Sequence, residues 1–121
     1  MNNLLEKFKV LEDHFSPKII GEVNDVFVKI VKIFGNKVPW HIHENEDELF
    51  YVIEGELLFE IEGKRSFSMK TGDIFIVPKG IKHRVSSTKV CKIMLIEPKT
   101  TVHTGNTKVD ITKSIDEQLF L

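Results

Sequence analysis

The stretch Gly35-Asn-Lys-Val-Pro-Trp-His41-Ile-His43-Glu-Asn-Glu-Asp-Glu48-Leu-Phe-Tyr-Val-Ile-Glu-Gly55 decides how this chain is read. In an extended segment successive side chains point to opposite faces, so His41 and His43 share one face and Ile42 takes the other. Two imidazoles two residues apart on a strand form half of a metal site. A carboxylate on the next strand, Glu48, approaches them across the hairpin. A second stretch, Gly72-Asp-Ile-Phe-Ile-Val-Pro78-Lys-Gly80-Ile-Lys-His83-Arg-Val-Ser-Ser87, starts a strand, turns at Pro78-Lys79-Gly80 and returns through His83. If the two hairpins face each other across a barrel, His83 is the third imidazole, and the set is three His and one Glu.

Around these stretches, short segments rich in Val, Ile and Phe follow one another, cut by turn residues. Strands are expected near 18–22, 26–34, 38–43, 48–54, 56–62, 65–70, 73–77, 82–87 and 90–97. About nine closely spaced strands with no helix between them imply an all-β antiparallel sandwich or barrel. Ahead of them Leu4, Leu5, Phe8, Leu11 and Phe15 recur near a 3.6-residue period, which predicts a helix over 3–15, ended by Ser16-Pro17. His14 would close that helix, where a cation suits the dipole, with no catalytic role. One amphipathic helix cannot bury its stripe alone and must lie on the sheet or on a partner subunit. After Pro98 the chain turns polar and reads as a tail folded back on the barrel. Within it Ser114, with Glu117 three positions on, has the pattern of a capping box for a short helix around 114–120. The chain thus divides into a helical segment 1–17, a barrel 18–98 and a tail 99–121.

With 121 residues, one domain is the default. A net charge of −1 argues against nucleic acid held by electrostatics and against a polybasic membrane-surface protein. No apolar run approaches the roughly 18 residues of a membrane span, and the N-terminal residues lack the apolar core of a signal peptide. Cys91 is the single cysteine, so no disulfide forms within the chain, which fits a reducing compartment. The expected setting is the cytoplasm, with neither nucleic acid nor membrane as a partner. Several strands are apolar on both parities: Phe27, Val31 and Ile33 oppose Val26, Val28 and Ile30, while Leu49, Tyr51 and Ile53 oppose Phe50 and Val52. A closed monomer needs only one apolar face. Something must cover the outer one, and a homodimer is the expectation.

The two stretches resemble the two motifs of the cupin superfamily. The first, G-x5-H-x-H-x4-E-x6-G, is matched at Gly35, His41, His43, Glu48 and Gly55; the second, G-x5-P-x-G-x2-H-x3-N, at Gly72, Pro78, Gly80 and His83. The final Asn is Ser87 here. In the family that Asn is not usually a metal ligand, so its loss leaves the metal site intact. The short spacing between the motifs looks like the small single-domain cupin-2 group. The resemblance implies a jelly-roll β-barrel with a metal inside its wider end, held by His41, His43, Glu48 and His83. It also implies dioxygenation, decarboxylation or isomerisation of small molecules, or ligand binding without turnover.

Individual residues carry further expectations. Asp47 rivals Glu48 as the carboxylate ligand, but the spacing to Gly55 and the parity shared with Phe50 and Val52 favour Glu48. Cys91 is read as core, and Trp40, of opposite parity to His41, as packing outside the metal cavity. Phe50, Met94 and His103 are candidate pocket residues. Three imidazoles and one carboxylate suit a divalent first-row ion: Fe, Mn, Ni, Co, Cu or Zn. Four protein ligands leave one or two open positions in a five- or six-coordinate geometry, as a catalytic metal needs. Glu48 is the one candidate for a catalytic base, if released from the ion. Two functions remain open: a dioxygenase or isomerase acting on a small organic molecule, and a non-catalytic protein that binds a sugar or organic acid. The segment of about 15 residues before the barrel is too short for a helix-turn-helix, which weighs against direct transcriptional regulation. The complete set of metal ligands weighs against a metal-free sugar-nucleotide epimerase site.

Overall fold

The computed structural model describes residues 1–105, 114 and 116–118. The elements are α1 (Leu4–Lys9), β1 (Lys18–Val23), β2 (Val26–Gly35), β3 (Glu48–Glu54), β4 (Glu56–Ile61), β5 (Phe67–Lys70), β6 (Ile74–Val77) and β7 (His83–Pro98), with a 3-10 turn at Asp116–Gln118. All strand pairings between these elements are antiparallel. One sheet runs in the order β1-β2-β7-β3-β6; β4 pairs with β5 and with β7. The fold is the jelly-roll type that the motifs imply.

β7 joins the two layers. Its first residues pair with β4, His83 opposite Ile61 and Ser86 opposite Leu58. Its later residues lie between β2 and β3, with Cys91 opposite Ile33 and Ile93 opposite Val52. The two strands expected at 82–87 and 90–97 are therefore one. The polar Ser87-Thr88-Lys89 stretch makes an irregularity, not a turn: the partner of Gly35 is Ser87, and that of Ile33 is Cys91. Ser87 is buried there, and its hydroxyl donates to the Glu56 carbonyl at 2.9 Å. Gly55, on the turn between β3 and β4, faces this bend with φ +110°. A Cβ at Gly55 would stand 3.1 Å from Cys91 Cα, so both backbone angle and space require glycine.

The strand expected at 38–43 reduces to one bridge. His41 and His83 exchange both backbone hydrogen bonds at 3.0 Å, but Pro39 has no N–H to extend the ladder. The N-terminal helix is also shorter than its periodicity predicts. It starts at Leu4, capped by the Asn3 side chain on Glu6 N, and ends at Val10. Beyond it Phe15 adopts φ 60°, its N–H donates to the Lys32 carbonyl at 2.8 Å, and His14 bridges to Lys32 in parallel. His14 therefore lies outside the helix, its ring 5.7 Å from that of Phe34, and plays no part in the helix dipole. Pairing with β2 and burial of Phe15 outweigh continuation of the helix.

Two apolar clusters follow from strand alternation. The interior one includes Val31, Ile33, Phe50, Val52, Leu57, Phe59, Met69, Val77, Val85, Ile93 and Leu95. The outer one places Phe8 and Leu11 against Ile20 and Ile30, with Val28, Ile53 and Met94 around them. The N-terminal segment thus covers part of the second apolar face. Of the helix expected at 114–120, the described residues show the capping box: Ser114 Oγ accepts from Glu117 N and Glu117 Oε1 from Ser114 N. The remainder of that helix lies outside the described residues.

Candidate metal centre

Three segments converge inside the barrel. The loop between β2 and β3 brings His41 and His43, the first residue of β3 is Glu48, and the first residue of β7 is His83. All four are buried, and their ligating atoms lie within 4.8 Å of one another. The loop is held from several sides. Gly80 N donates to the His43 carbonyl at 2.8 Å, and Lys79 N donates to Asp47 Oδ1 at 2.9 Å. That second bond puts Asp47 on the Pro78-Lys79-Gly80 turn, outside the cluster, while Glu48 points inward as its parity predicts. Gly105 presses on the same loop from the tail. A Cβ there would come 2.3 Å from the Ile42 carbonyl oxygen and 3.1 Å from the His41 ring.

The donor atoms fit a cation. His41 Nδ1 lies 2.8 Å from the Pro39 carbonyl and His83 Nδ1 2.9 Å from the Ile81 carbonyl. A ring nitrogen that donates to a carbonyl leaves the other with its lone pair free, the usual preparation of a metal-bound imidazole. His83 Nε2, both His43 ring nitrogens and Glu48 Oε1 are buried with no hydrogen-bond partner. Orphaned buried polar atoms are rare enough to require an explanation. Glu48 Oε1 is 3.6 Å from Nε2 of both His43 and His83. These contacts are not ion pairs, because the imidazoles are neutral. Burial, with the neighbouring His83, lowers His41 to about 4; burial, with His41 and His83, lowers His43 to about 3. Burial also lowers His83. Neutral imidazole is the ligating form.

Two charged residues inside the barrel were not singled out from sequence. Lys29 and Glu97 are both buried, with Lys29 Nζ 2.7 Å from Glu97 Oε1. Glu97 also stands beside Glu48, its Oε2 buried without a hydrogen-bond partner; burial and the adjacent Glu48 carboxyl push it well above the ordinary carboxylate range. Burial raises Glu48 as well. Burial beside each other thus favours the protonated form at both carboxyls. The parity of the strands was the available signal: Lys29 alternates in step with Phe27, Val31 and Ile33, and Glu97 with Cys91, Ile93 and Leu95.

A cavity of about 40 Å³ opens beside the cluster, room for about three water molecules. His41, Glu48, Phe50 and His103 line it, together with Phe15, Pro17, Val31, Ile33, Val38, Val85, Ile93 and Leu95. Phe50 and His103 are thus where the pocket expectation puts them. Met94 is not: its parity is opposite to that of Ile93 and Leu95, and it packs in the outer cluster near Phe8. Trp40 stays outside, its ring beneath the Arg84 guanidinium at 4.6 Å. Cys91 is buried in the core, its thiol pushed up to about 11 by that burial.

The family model for the cupin domain, of the cupin-2 group, matches residues 33–97, which contain all four cluster residues. The chain belongs to the cupin-2 family. The Bacillus subtilis protein YdbB is similar to this cupin, 38% identical over 87 residues, 72% of this chain and 76% of the relative. The acireductone dioxygenase of Tuber melanosporum is 33% identical over 78 residues, covering 61% of this chain but only 41% of that enzyme. Among solved structures, a cupin-2 domain protein from Shewanella frigidimarina is similar at a TM-score of 0.77 and 37% identity, over 81% of this cupin and 94% of that chain. No helix among the described residues is long and apolar enough to cross a membrane.

Proposed function

We propose that this cupin binds one divalent first-row transition ion through His41, His43, Glu48 and His83 and acts through it on a small organic molecule, as a dioxygenase or isomerase. The observation that carries this reading is the four-residue cluster with its orphaned nitrogen and oxygen atoms. When bound, such an ion polarises a carbonyl or activates oxygen at its open positions. The chain's own residues supply the rest. The aliphatic and aromatic wall of the cavity limits the size of what enters. The Pro39 and Ile81 carbonyls fix the rings of His41 and His83. His103, on the cavity wall, is a side chain that a substrate would meet. Among the described residues no lysine or arginine lines the cavity. That favours a neutral or weakly charged substrate over a dianion or a sugar nucleotide. The similarity to an acireductone dioxygenase supports oxygen chemistry within the same barrel. Glu48 as a base released from the ion belongs to this proposal.

The alternative, a protein that binds a small ligand without turnover, uses the same site. Elemental analysis of the purified protein, with His41→Ala and His83→Ala beside it, tests the common claim. Near-stoichiometric Fe, Mn, Ni, Co, Cu or Zn in the wild type, lost from both variants, is expected. Absence of metal after reconstitution overturns the reading. Oxygen uptake or isomerisation by the loaded protein, tested with small neutral carbonyl compounds, then separates enzyme from binding protein.

A homodimer belongs to the same proposal. Edge strand β6 turns exposed Ile74 and Ile76 outward, opposite Tyr51 and Leu49 on β3, so an apolar stripe continues past the surface that α1 covers. A dimeric mass by light scattering at micromolar concentration is expected, and a monomeric one counts against it.

A further inference from the structure

A row of buried polar side chains runs along the inner face of the sheet, from the cluster on β3 across β7 to β2. Strand register produces it. Leu49 pairs with Ile96, which brings Glu48 on β3 opposite Glu97 on β7. Directly opposite side chains on one face are neighbours. On the next strand Phe27 pairs with Glu97, so Lys29 stands diagonally across from it. Lys29 Nζ closes on Glu97 Oε1 at 2.7 Å and donates to Gln118 Oε1 at 2.6 Å. The Glu97 carboxyl in turn stands against that of Glu48, and its Oε2 is buried with no other hydrogen-bond partner. The free oxygen of Glu48, Oε1, is then the one aimed at His43 and His83.

We propose that Glu97, anchored by Lys29, is the positioning residue of the metal centre, fixing the Glu48 carboxylate so that Oε1 faces the three imidazoles. The inference rests on the metal reading above and deepens it. Stability alone does not explain the row. A buried ion pair is often no better than apolar residues of the same volume. The same strands fill the adjacent interior with Val31, Ile93 and Leu95. A polar pair set behind the cluster, with its carboxyl against a ligand, has the arrangement by which outer residues orient metal ligands.

The probe is Co²⁺, with affinity read by competition against a chromophoric chelator and coordination read from its visible absorption bands. Glu97→Gln keeps an N–H for Glu48 and a carbonyl for Lys29, and wild-type affinity and bands are expected. The double variant Lys29→Met with Glu97→Leu removes the charge pair as a unit and is expected to fold. Its Co²⁺ affinity should fall about 10–100-fold, the usual range for loss of an outer partner, with shifted bands. A folded double variant with wild-type affinity and bands overturns the proposal, as does a Gln variant that loses as much as the double. Should the double variant not fold, Glu97→Asp, one methylene too short to reach Glu48, is held to the same expectation and the same refutation. Failure of the wild type to bind Co²⁺ is a different result: it overturns the metal reading itself.

Discussion

The interior of the barrel has two halves built on the same strands and following opposite rules. Around Phe59 lies a cluster of phenylalanine rings: its ring stacks on Phe67 at 5.3 Å and meets Phe50 and Phe75 edge-on at 5.0 Å each. Around Glu48 the neighbours are His43, His83, Glu97 and, one step on, Lys29. β7 serves both halves, contributing His83 and Glu97 to the polar one and Val85, Ile93 and Leu95 to the apolar one. Phe59 and His83 form the seam, with rings stacked at 5.8 Å. The apolar half stabilises by burial. The polar half keeps desolvated groups together, and its unpartnered nitrogen and oxygen atoms are the ones the proposed ion would take up.

The two halves should therefore fail differently. Lys29→Met alone leaves Glu97 and Glu48 without their cation. Breaking a buried pair from one side typically costs about 3–5 kcal/mol, and here it should also weaken Co²⁺ binding by loosening Glu48. Leu57→Ala, in the apolar half, removes a fully buried side chain and should cost about 2–5 kcal/mol through lost burial and a residual cavity. The folded Leu57→Ala protein should bind Co²⁺ as the wild type does. Urea midpoints and chelator competition on both proteins make the test. Equal weakening of metal binding by both substitutions would dissolve the distinction between the halves.

How far the sequence discloses each half has a physical cause. The apolar half was legible because alternation is a strong signal: Phe50 and Val52 inward, Leu49, Tyr51 and Ile53 outward, as observed. The cluster was legible because four residue types at fixed spacings leave few alternatives, and the family match covers that region. Lys29 and Glu97 are not legible in the same way, because charged residues on strands are ordinarily solvent-facing and alternation alone does not mark one as buried. The helix was expected too long for another reason: periodicity reports which side chains are buried, and Phe8, Leu11 and Phe15 are all buried although only the first of them is helical. The join of two expected strands into β7 depended on pairing with β2 and β4, which no local pattern carries.

The smallest expected effect is also the one that isolates the polar half. In the ion-free protein the three imidazoles are neutral in the fold, with His41 at about 4 and His43 at about 3, whereas unfolded histidines titrate near 6.5. As pH falls below that value the unfolded chain takes up three protons there that the folded chain refuses. A depressed histidine contributes stability above its unfolded value and loses it as pH falls towards the folded one. Glu97 and Glu48 work in the other direction. Their raised values mean the fold holds up to two protons that unfolded glutamates, titrating near 4.5, release. Below about pH 5.5, where the unfolded imidazoles are nearly all charged, the unfolded state binds more protons than the fold even with both carboxyls protonated, so stability falls on acidification by on the order of 1 kcal/mol per pH unit. Urea midpoints at descending pH, with chelator present, measure the slope. A midpoint that rises on acidification would mean the carboxyl pair outweighs the imidazoles. The Leu57→Ala protein should start lower and keep the same slope, because none of the linked protons resides in its half of the barrel.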